Sequence, residues 1–151
     1  MRTARASETF DATVAEAESR WYDTTRWHMW VDGLDRVVEV HGAWPEAGAT
    51  VTWQSGPAGR GTVVERVIAH EPLQGQALEV QDGSIRGRQS VAFAAATPGV
   101  EVTLALEYEL LRRSILTPVV DLLFIKRAIA ASLAHTVSRF GVELAAAREI
   151  R

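Results

Sequence analysis

The residues best suited to acid–base chemistry near neutral pH are four histidines: His28, His41, His70 and His135. His28 stands between two tryptophans and His41 alternates with Glu39 on one predicted strand face, so either could act as a general acid or base. Both patterns are also typical of surface histidines and of buried histidines with satisfied hydrogen bonds, which are commoner. No two histidines have the i, i+4 or HExxH spacing of a metal site, so the sequence predicts no bound metal and no cofactor.

Nucleophilic catalysis finds no support in the sequence. There is no cysteine, and no serine lies in a GxSxG motif. The glycine-rich segment Gly56–Gly61 lacks the Lys-Ser/Thr pair of a phosphate-binding loop, so we interpret it as a hairpin turn. The sequence alone therefore identifies no catalytic residues.

Tryptophan is the most informative residue type, because all five tryptophans lie within the first 53 residues. An indole is costly to leave in water and needs a partner for its N–H when buried. The cluster therefore forms either a plug in the core or one wall of a ligand pocket. Trp27, Trp30 and Trp53 are the candidates to line such a pocket.

Three polar residues could complete a ligand site. Gln89 shares one strand face with Val91 and Phe93, and Tyr108 continues the face of an apolar strand. Each would point into an inward-facing pocket or mark the solvated end of its strand. Lys126 lies within the apolar stripe of a helix. Its ammonium either reaches the helix edge or pairs with an acidic ligand group.

The composition limits the class of protein. A chain of 151 residues with 47% hydrophobic residues is the size of one domain, which we place at residues 1–151. The net charge of −3 argues against nucleic-acid binding. The apolar run Val119–Ile125 is too short for stable membrane insertion, and the N-terminus shows no apolar leader. Together with the lack of cysteine, this favours a cytoplasmic protein.

Turn signals divide the chain into an initial strand, two helical pieces, a meander of strands and a long final helix. Thr13 and Glu16 form a capping box that begins the first helix. The predicted strands are residues 3–11, 37–41, 50–55, 61–69, 77–81, 85–95 and 99–111.

The final helix is predicted from an N-cap at Thr117 to about residue 149. Its apolar stripe and its alanines, which we expect to face the sheet, predict a cavity of roughly 300–1,000 Å³ between sheet and helix. Its first turn, Val119–Ile125, is apolar on nearly every side. That turn is covered by the tryptophan segment or by a second subunit in a homodimer, or it forms the lip of the pocket.

This order of elements resembles the START-like (SRPBCC) helix-grip superfamily, and within it the polyketide cyclase/dehydrase-like group. The resemblance covers nearly the whole chain and is carried by Phe10–Ala12 before a helix, Tyr22–Trp30, Gly61–Val63 with Glu71-Pro72, Pro98–Thr103 with Glu107–Leu110, and the final helix. It implies an α+β fold in which a curved antiparallel sheet wraps around the C-terminal helix. It also implies a cavity that binds apolar or aromatic small molecules.

Three functions remain open on this evidence. The first is binding of a small hydrophobic ligand, such as a lipid, an aromatic or a polyketide-like molecule, in the cavity. The second is an enzyme of cyclase or dehydratase type that orients a reactive chain in the same cavity. The third is a protein-interaction module that uses the apolar patch at Val119–Ile125.

Overall fold

A computed structural model describes residues 1–57, 59–111 and 119–149, with the side chains of 119–123 left out. The elements run in the order β1 (Arg2–Phe10), α1 (Val14–Trp21), a 3₁₀ turn (Thr24–Arg26), α2 (Trp27–Trp30), β2 (Leu34–His41), β3 (Thr50–Ser55), β4 (Thr62–Glu71), β5 (Gly75–Gln81), β6 (Ile85–Ala96), β7 (Gly99–Leu110) and α3 (Val119–Glu149). Every predicted strand is present, with ends that differ by at most a few residues.

The strands form one antiparallel sheet in the order β1-β7-β6-β5-β4-β3-β2. Strands β2 to β7 follow one another as a meander, and β1 closes the far edge by pairing with β7. Along β7 the alternate residues Val100, Val102, Leu104, Leu106 and Tyr108 are buried. This period of two places one face of the sheet against the helices.

The capping box predicted at the start of α1 is confirmed. The amide of Thr13 donates to Glu16 Oε1 and the amide of Glu16 donates to Thr13 Oγ1, each at 3.1 Å. These two bonds satisfy backbone donors that the first turn leaves without partners. The helix begins there and buries Ala17 and Trp21.

Helix α3 packs its predicted stripe against the sheet from its middle onward, where Leu133, Val137, Phe140 and Leu144 are buried. The expectation that its alanines face the sheet is wrong. The alanines at 128, 130, 131, 134, 145 and 146 are exposed, and the one at 147 is half-buried. The larger residues of the stripe occupy the inner face because they bury more apolar area. The predicted N-cap, Thr117, lies outside the described residues.

The protein therefore has the predicted α+β helix-grip fold, in which a seven-stranded curved sheet holds a long C-terminal helix. In the described part of the chain, no helix combines the length and apolarity needed to cross a membrane.

Candidate functional site

A cavity of about 50 Å³ lies between the inner face of the sheet and α3. Its described lining residues come from the helical segment, from strands of the sheet, from the β3–β4 loop and from α3: Trp21, Trp27, Trp30, Val31, Asp32, Trp53, Arg60, Glu65, Gln76, Leu78, Gln89, Leu104, Ser132, Leu133 and Thr136. The expected volume of roughly 300–1,000 Å³ was too large, because indole rings and the stripe of α3 fill most of the space.

Aromatic rings in tilted and edge-to-face contact build one wall of this cavity. The ring of Trp30 lies 4.6 Å from that of Trp21 and 4.9 Å from that of Phe140 on α3, measured between centroids. The indole N–H of Trp27 donates to the carbonyl of Trp21 at 2.8 Å. That bond ties α2 back onto the end of α1, so the helical segment is held where its rings meet α3.

Two indoles of this wall keep buried N–H groups without partners. Trp30 and Trp53 are 1% and 2% exposed. Within the described residues, neither Nε1 atom has a hydrogen-bond partner. A buried donor left unpaired costs roughly 1–3 kcal/mol, so an acceptor that reached either N–H group would stabilise it.

The cavity is also lined by an arginine that is paired with one carboxyl group, and by a second carboxyl group. Arg60, in the β3–β4 loop, donates from Nε to Asp82 Oδ2 at 2.5 Å. The other oxygen of Asp82 accepts from the amides of Ser84 and Ile85, which fixes the turn after β5. The second carboxyl is that of Glu65 on β4, which lines the cavity with Arg60.

Glu65 points inward from β4, where Val63 and Val67 hold the neighbouring inward positions and all three residues are buried. Burial raises the pKa of Glu65 to about 7, although the guanidinium of Arg60 and the indole of Trp53 both lower it. The Trp53 N–H is near enough to act on the carboxyl but, among the described residues, lacks the geometry of a hydrogen bond. A carboxyl in this state can gain and lose a proton near neutral pH.

Two glutamines add amide groups to the lining of the cavity. Gln76 is buried, and its Nε2 donates to the carbonyl of Pro45 at 2.9 Å. Gln89 lies on β6 and faces the cavity, while Val91 and Phe93 continue its strand face into the core. Of the two positions that the sequence left open for Gln89, an inward-facing one and a solvated strand end, this placement is the inward one.

The structure brings together four of the six predicted ligand residues: Trp27, Trp30, Trp53 and Gln89 all line this cavity. Tyr108 is fully buried on the inner face of β7 but lines a different space of about 410 Å³, beside Arg2 and Leu110. Burial raises the pKa of Tyr108, while Arg2 lowers it. Lys126 is exposed on α3 and is not among the lining residues of either space.

No histidine is among the described lining residues of the cavity. His28, His41 and His135 are exposed, although His135 Nδ1 lies 4.0 Å from Oδ1 of Asp32, which lines the cavity. His70 Nδ1 lies 3.1 Å from Glu46 Oε1 in a separate cluster beside Tyr22. Over residues 1–57, 59–111 and 119–149, no three His, Asp or Glu side chains come together in a way that could hold a metal ion.

Sequence reasoning missed Glu65 and Arg60. The signal for Glu65 was its place in the alternation Val63–Glu65–Val67, which puts a carboxyl on an otherwise apolar strand face. Arg60 carries no comparable signal, because its direction depends on Asp82, which is 22 residues further along the chain.

Several solved structures share this fold. The Zhui aromatase/cyclase from Streptomyces sp. R1128 superposes with a TM-score of 0.80 at 13% identity, over 99% of this chain and 96% of that one. A protein from Thermus thermophilus gives a TM-score of 0.76 at 15% identity, over 97% and 99% of the two chains. The di-domain ARO/CYC StfQ from the steffimycin biosynthetic pathway gives 0.74 at 12% identity, over 93% of this chain and 49% of that one.

Among curated proteins, none matches this sequence. A family model described as "Polyketide cyclase / dehydrase and lipid transport" matches residues 1–141. The chain belongs to the polyketide cyclase/dehydrase and lipid transport family.

Proposed function

We propose that this protein binds a small hydrophobic ligand between its sheet and α3, at the cavity lined by the tryptophans. The observation that carries the proposal is that Trp30 and Trp53, which line this cavity, keep buried indole N–H groups without partners among the described residues. Apolar walls with a few unsatisfied polar groups are typical of small-molecule sites. Two of the structural neighbours, Zhui and StfQ, are aromatase/cyclase proteins, which supports a ligand of aromatic or polyketide-like character.

The ligand needs more room than the cavity of about 50 Å³ offers, since this volume would hold only one or two molecules the size of water. The added room would come from the wall formed by the 3₁₀ turn and α2, which are three and four residues long. Such short helices have few backbone hydrogen bonds and open at low cost compared with the sheet. Binding should therefore displace Trp27 and Trp30 before it displaces any strand.

The direct test is native mass spectrometry of freshly purified protein, followed by calorimetric titration with naphthalene. We expect a one-to-one complex in the wild type. Leu78→Phe adds a ring at a buried position that lines the cavity, so it should weaken binding at least tenfold. Val142→Phe adds the same ring at a residue that is 72% exposed, so it should leave binding unchanged. No binding, or equal loss in both variants, would contradict the proposal.

A second candidate is an enzyme of cyclase or dehydratase type, and Glu65 is the observation that favours it. A carboxyl with a pKa of about 7 is suited to proton transfer at physiological pH. The test is product analysis with polyketide-like substrates for the wild type and Glu65→Gln. Product formation that Glu65→Gln reduces by about a hundredfold or more supports the enzyme. Ligand binding without product supports the binding protein.

Other expectations from the sequence stay predictions. These are a single domain over residues 1–151, a cytoplasmic location, and a homodimer that covers the first turn of α3. The ligand roles of Tyr108 and Lys126 also stay predictions. If either contacts the ligand, substituting it should weaken naphthalene binding.

A further inference from the structure

Two polar residues that line the cavity, Arg60 and Glu65, indicate which chemical group the ligand carries. Resting on the proposed function, we propose that the ligand is a hydroxylated aromatic molecule whose hydroxyl group is held between the guanidinium of Arg60 and the carboxyl of Glu65. The hydroxyl oxygen accepts from Arg60 Nη2, and its hydrogen is donated to Glu65. The aromatic ring lies against the tryptophan wall.

Arg60 provides the donor. Its Nε is committed to Asp82, whose side chain is 1% exposed. Its guanidinium carbon lies 5.5 Å from the centroid of the Trp53 ring, which holds the group over the indole. Its Nη2 is buried and has no hydrogen-bond partner within the described part of the chain. A fixed guanidinium with an unused N–H at the cavity wall is prepared to bind an oxygen atom.

Glu65 provides the acceptor. In the sheet it pairs with Val51 on β3 and Val80 on β5, and both valines are buried. The residue is therefore flanked by apolar side chains on both neighbouring strands. The groups that lower the pKa of its carboxyl are Arg60 and Trp53. A carboxylate in such surroundings is stabilised by any further hydrogen-bond donor.

The charged residues around the cavity select among ligand groups. A ligand carboxylate would add a negative charge where Arg60 is already paired with Asp82 and where Glu65 and Asp32 also line the cavity. An ammonium would face the guanidinium and leave Nη2 unused. A carbonyl would satisfy Arg60 but donate nothing to Glu65. A hydroxyl group donates one hydrogen bond and accepts another, which matches the pair.

The tryptophans favour an aromatic molecule as the ligand that bears this hydroxyl group. Rings of Trp21, Trp27, Trp30 and Trp53 line the same cavity as the Arg60–Glu65 pair. Aromatic rings pack on one another in offset and edge-to-face arrangements that add to the gain from burial. A flat ring bearing one hydroxyl group could therefore pack against the tryptophans and hydrogen-bond to Arg60 and Glu65 at the same time.

The experiment compares 2-naphthol with 2-methoxynaphthalene, which has the same ring system but no hydroxyl hydrogen, by calorimetric titration at pH 8. We expect the wild type to bind 2-naphthol roughly 10- to 100-fold more tightly than 2-methoxynaphthalene, because a hydrogen bond to a charged group contributes about that much to affinity. In Glu65→Leu the preference should fall below about threefold, because no acceptor remains. Glu79→Leu removes an exposed carboxylate of β5 and should keep the wild-type preference.

A second measurement uses the wild type alone, so it stands even where Glu65→Leu does not fold. At pH 5.5 Glu65 is protonated, because its pKa is about 7. The preference for 2-naphthol should then fall to that of a bond between neutral groups, about 2- to 12-fold. Equal affinity for both compounds at pH 8, or a preference that does not change with pH, would overturn the hydroxyl assignment and leave the proposed function standing. Failure of both compounds to bind would overturn the proposed function, and the assignment with it.

Discussion

Glu65 should make the stability of this protein fall as the pH rises through neutrality. Its pKa rises from 4.5 to about 7 on folding, so between these values the native state binds a proton that the unfolded state releases. An acid whose pKa is raised by folding stabilises the native state only while it is protonated. The free energy of unfolding should therefore decrease from about pH 5 to pH 8 and then stop changing on account of this group.

The size of the effect follows from the two pKa values. One pKa unit corresponds to about 1.4 kcal/mol, so the contribution of Glu65 should change by about 2–3 kcal/mol between pH 5 and pH 8. Glu65 is 5% exposed, so solvent does little to reduce this value. Glu65→Gln keeps the shape of the side chain and removes the ionisation, so its stability should not show this decrease.

Chemical denaturation of the wild type and of Glu65→Gln, from pH 5 to pH 8, measures the difference between the two stability curves. Other ionisable groups contribute equally to both curves and cancel. We expect the stability of Glu65→Gln relative to the wild type to rise by about 2–3 kcal/mol over this interval. Glu79→Gln, at an exposed position of β5, should give a curve parallel to the wild type. Parallel curves for Glu65→Gln as well would refute the assignment of a raised pKa.

Three further predictions concern packing. Gly87→Ala should destabilise the fold by more than about 1 kcal/mol, because an added Cβ would lie 2.0 Å from the carbonyl oxygen of Glu107. Gly83→Ala should be nearly neutral, because an added Cβ there would have no atom within 4 Å. Thermal unfolding of the two variants measures the difference. Leu133→Ala should lose about 2–5 kcal/mol because Leu133 is 7% exposed, and a loss under about 0.5 kcal/mol in urea unfolding would contradict its burial. Trp27→Phe should lose about 1–3 kcal/mol in the same assay, because the carbonyl of Trp21 loses its indole donor.

Local patterns predicted most of the fold. The capping box of Thr13 and Glu16, the alternation along β7 and the stripe of α3 from Leu133 to Leu144 each depend on residues close together in sequence. The structure of these three segments is therefore determined mainly by backbone periodicity and local hydrogen bonds. The alternation also showed that Gln89 shares a strand face with Val91 and Phe93, but it did not show which way that face points.

The size of the cavity was not predictable from those patterns. The periodicity of α3 identified its apolar stripe but did not show that the alanines lie outside, since both sets recur at helical spacing. How far the rings of Trp21, Trp30 and Phe140 interlock depends on contacts between residues more than 100 positions apart. Such packing is set by tertiary structure and not by local sequence.

The polar residues of the site show the same limit. Glu65 had a visible sequence signal, whereas its raised pKa arises from burial, which depends on the tertiary structure. Arg60 enters the site because Asp82, held by the turn before β6, fixes its guanidinium. A loop residue positioned by a distant turn leaves no periodic trace in the sequence.

The most direct test of ligand binding in this cavity is a ¹H–¹⁵N spectrum of the indole groups during titration with 2-naphthol. We predict that the N–H signals of Trp30 and Trp53 shift most, because these residues line the cavity and their buried N–H groups have no partners among the described residues. The signal of Trp44 should change least, because its N–H donates to the carbonyl of Tyr22 at 2.8 Å and it is not among the described lining residues. An unchanged spectrum at saturating 2-naphthol, or shifts confined to Trp44, would contradict a ligand site between the sheet and α3.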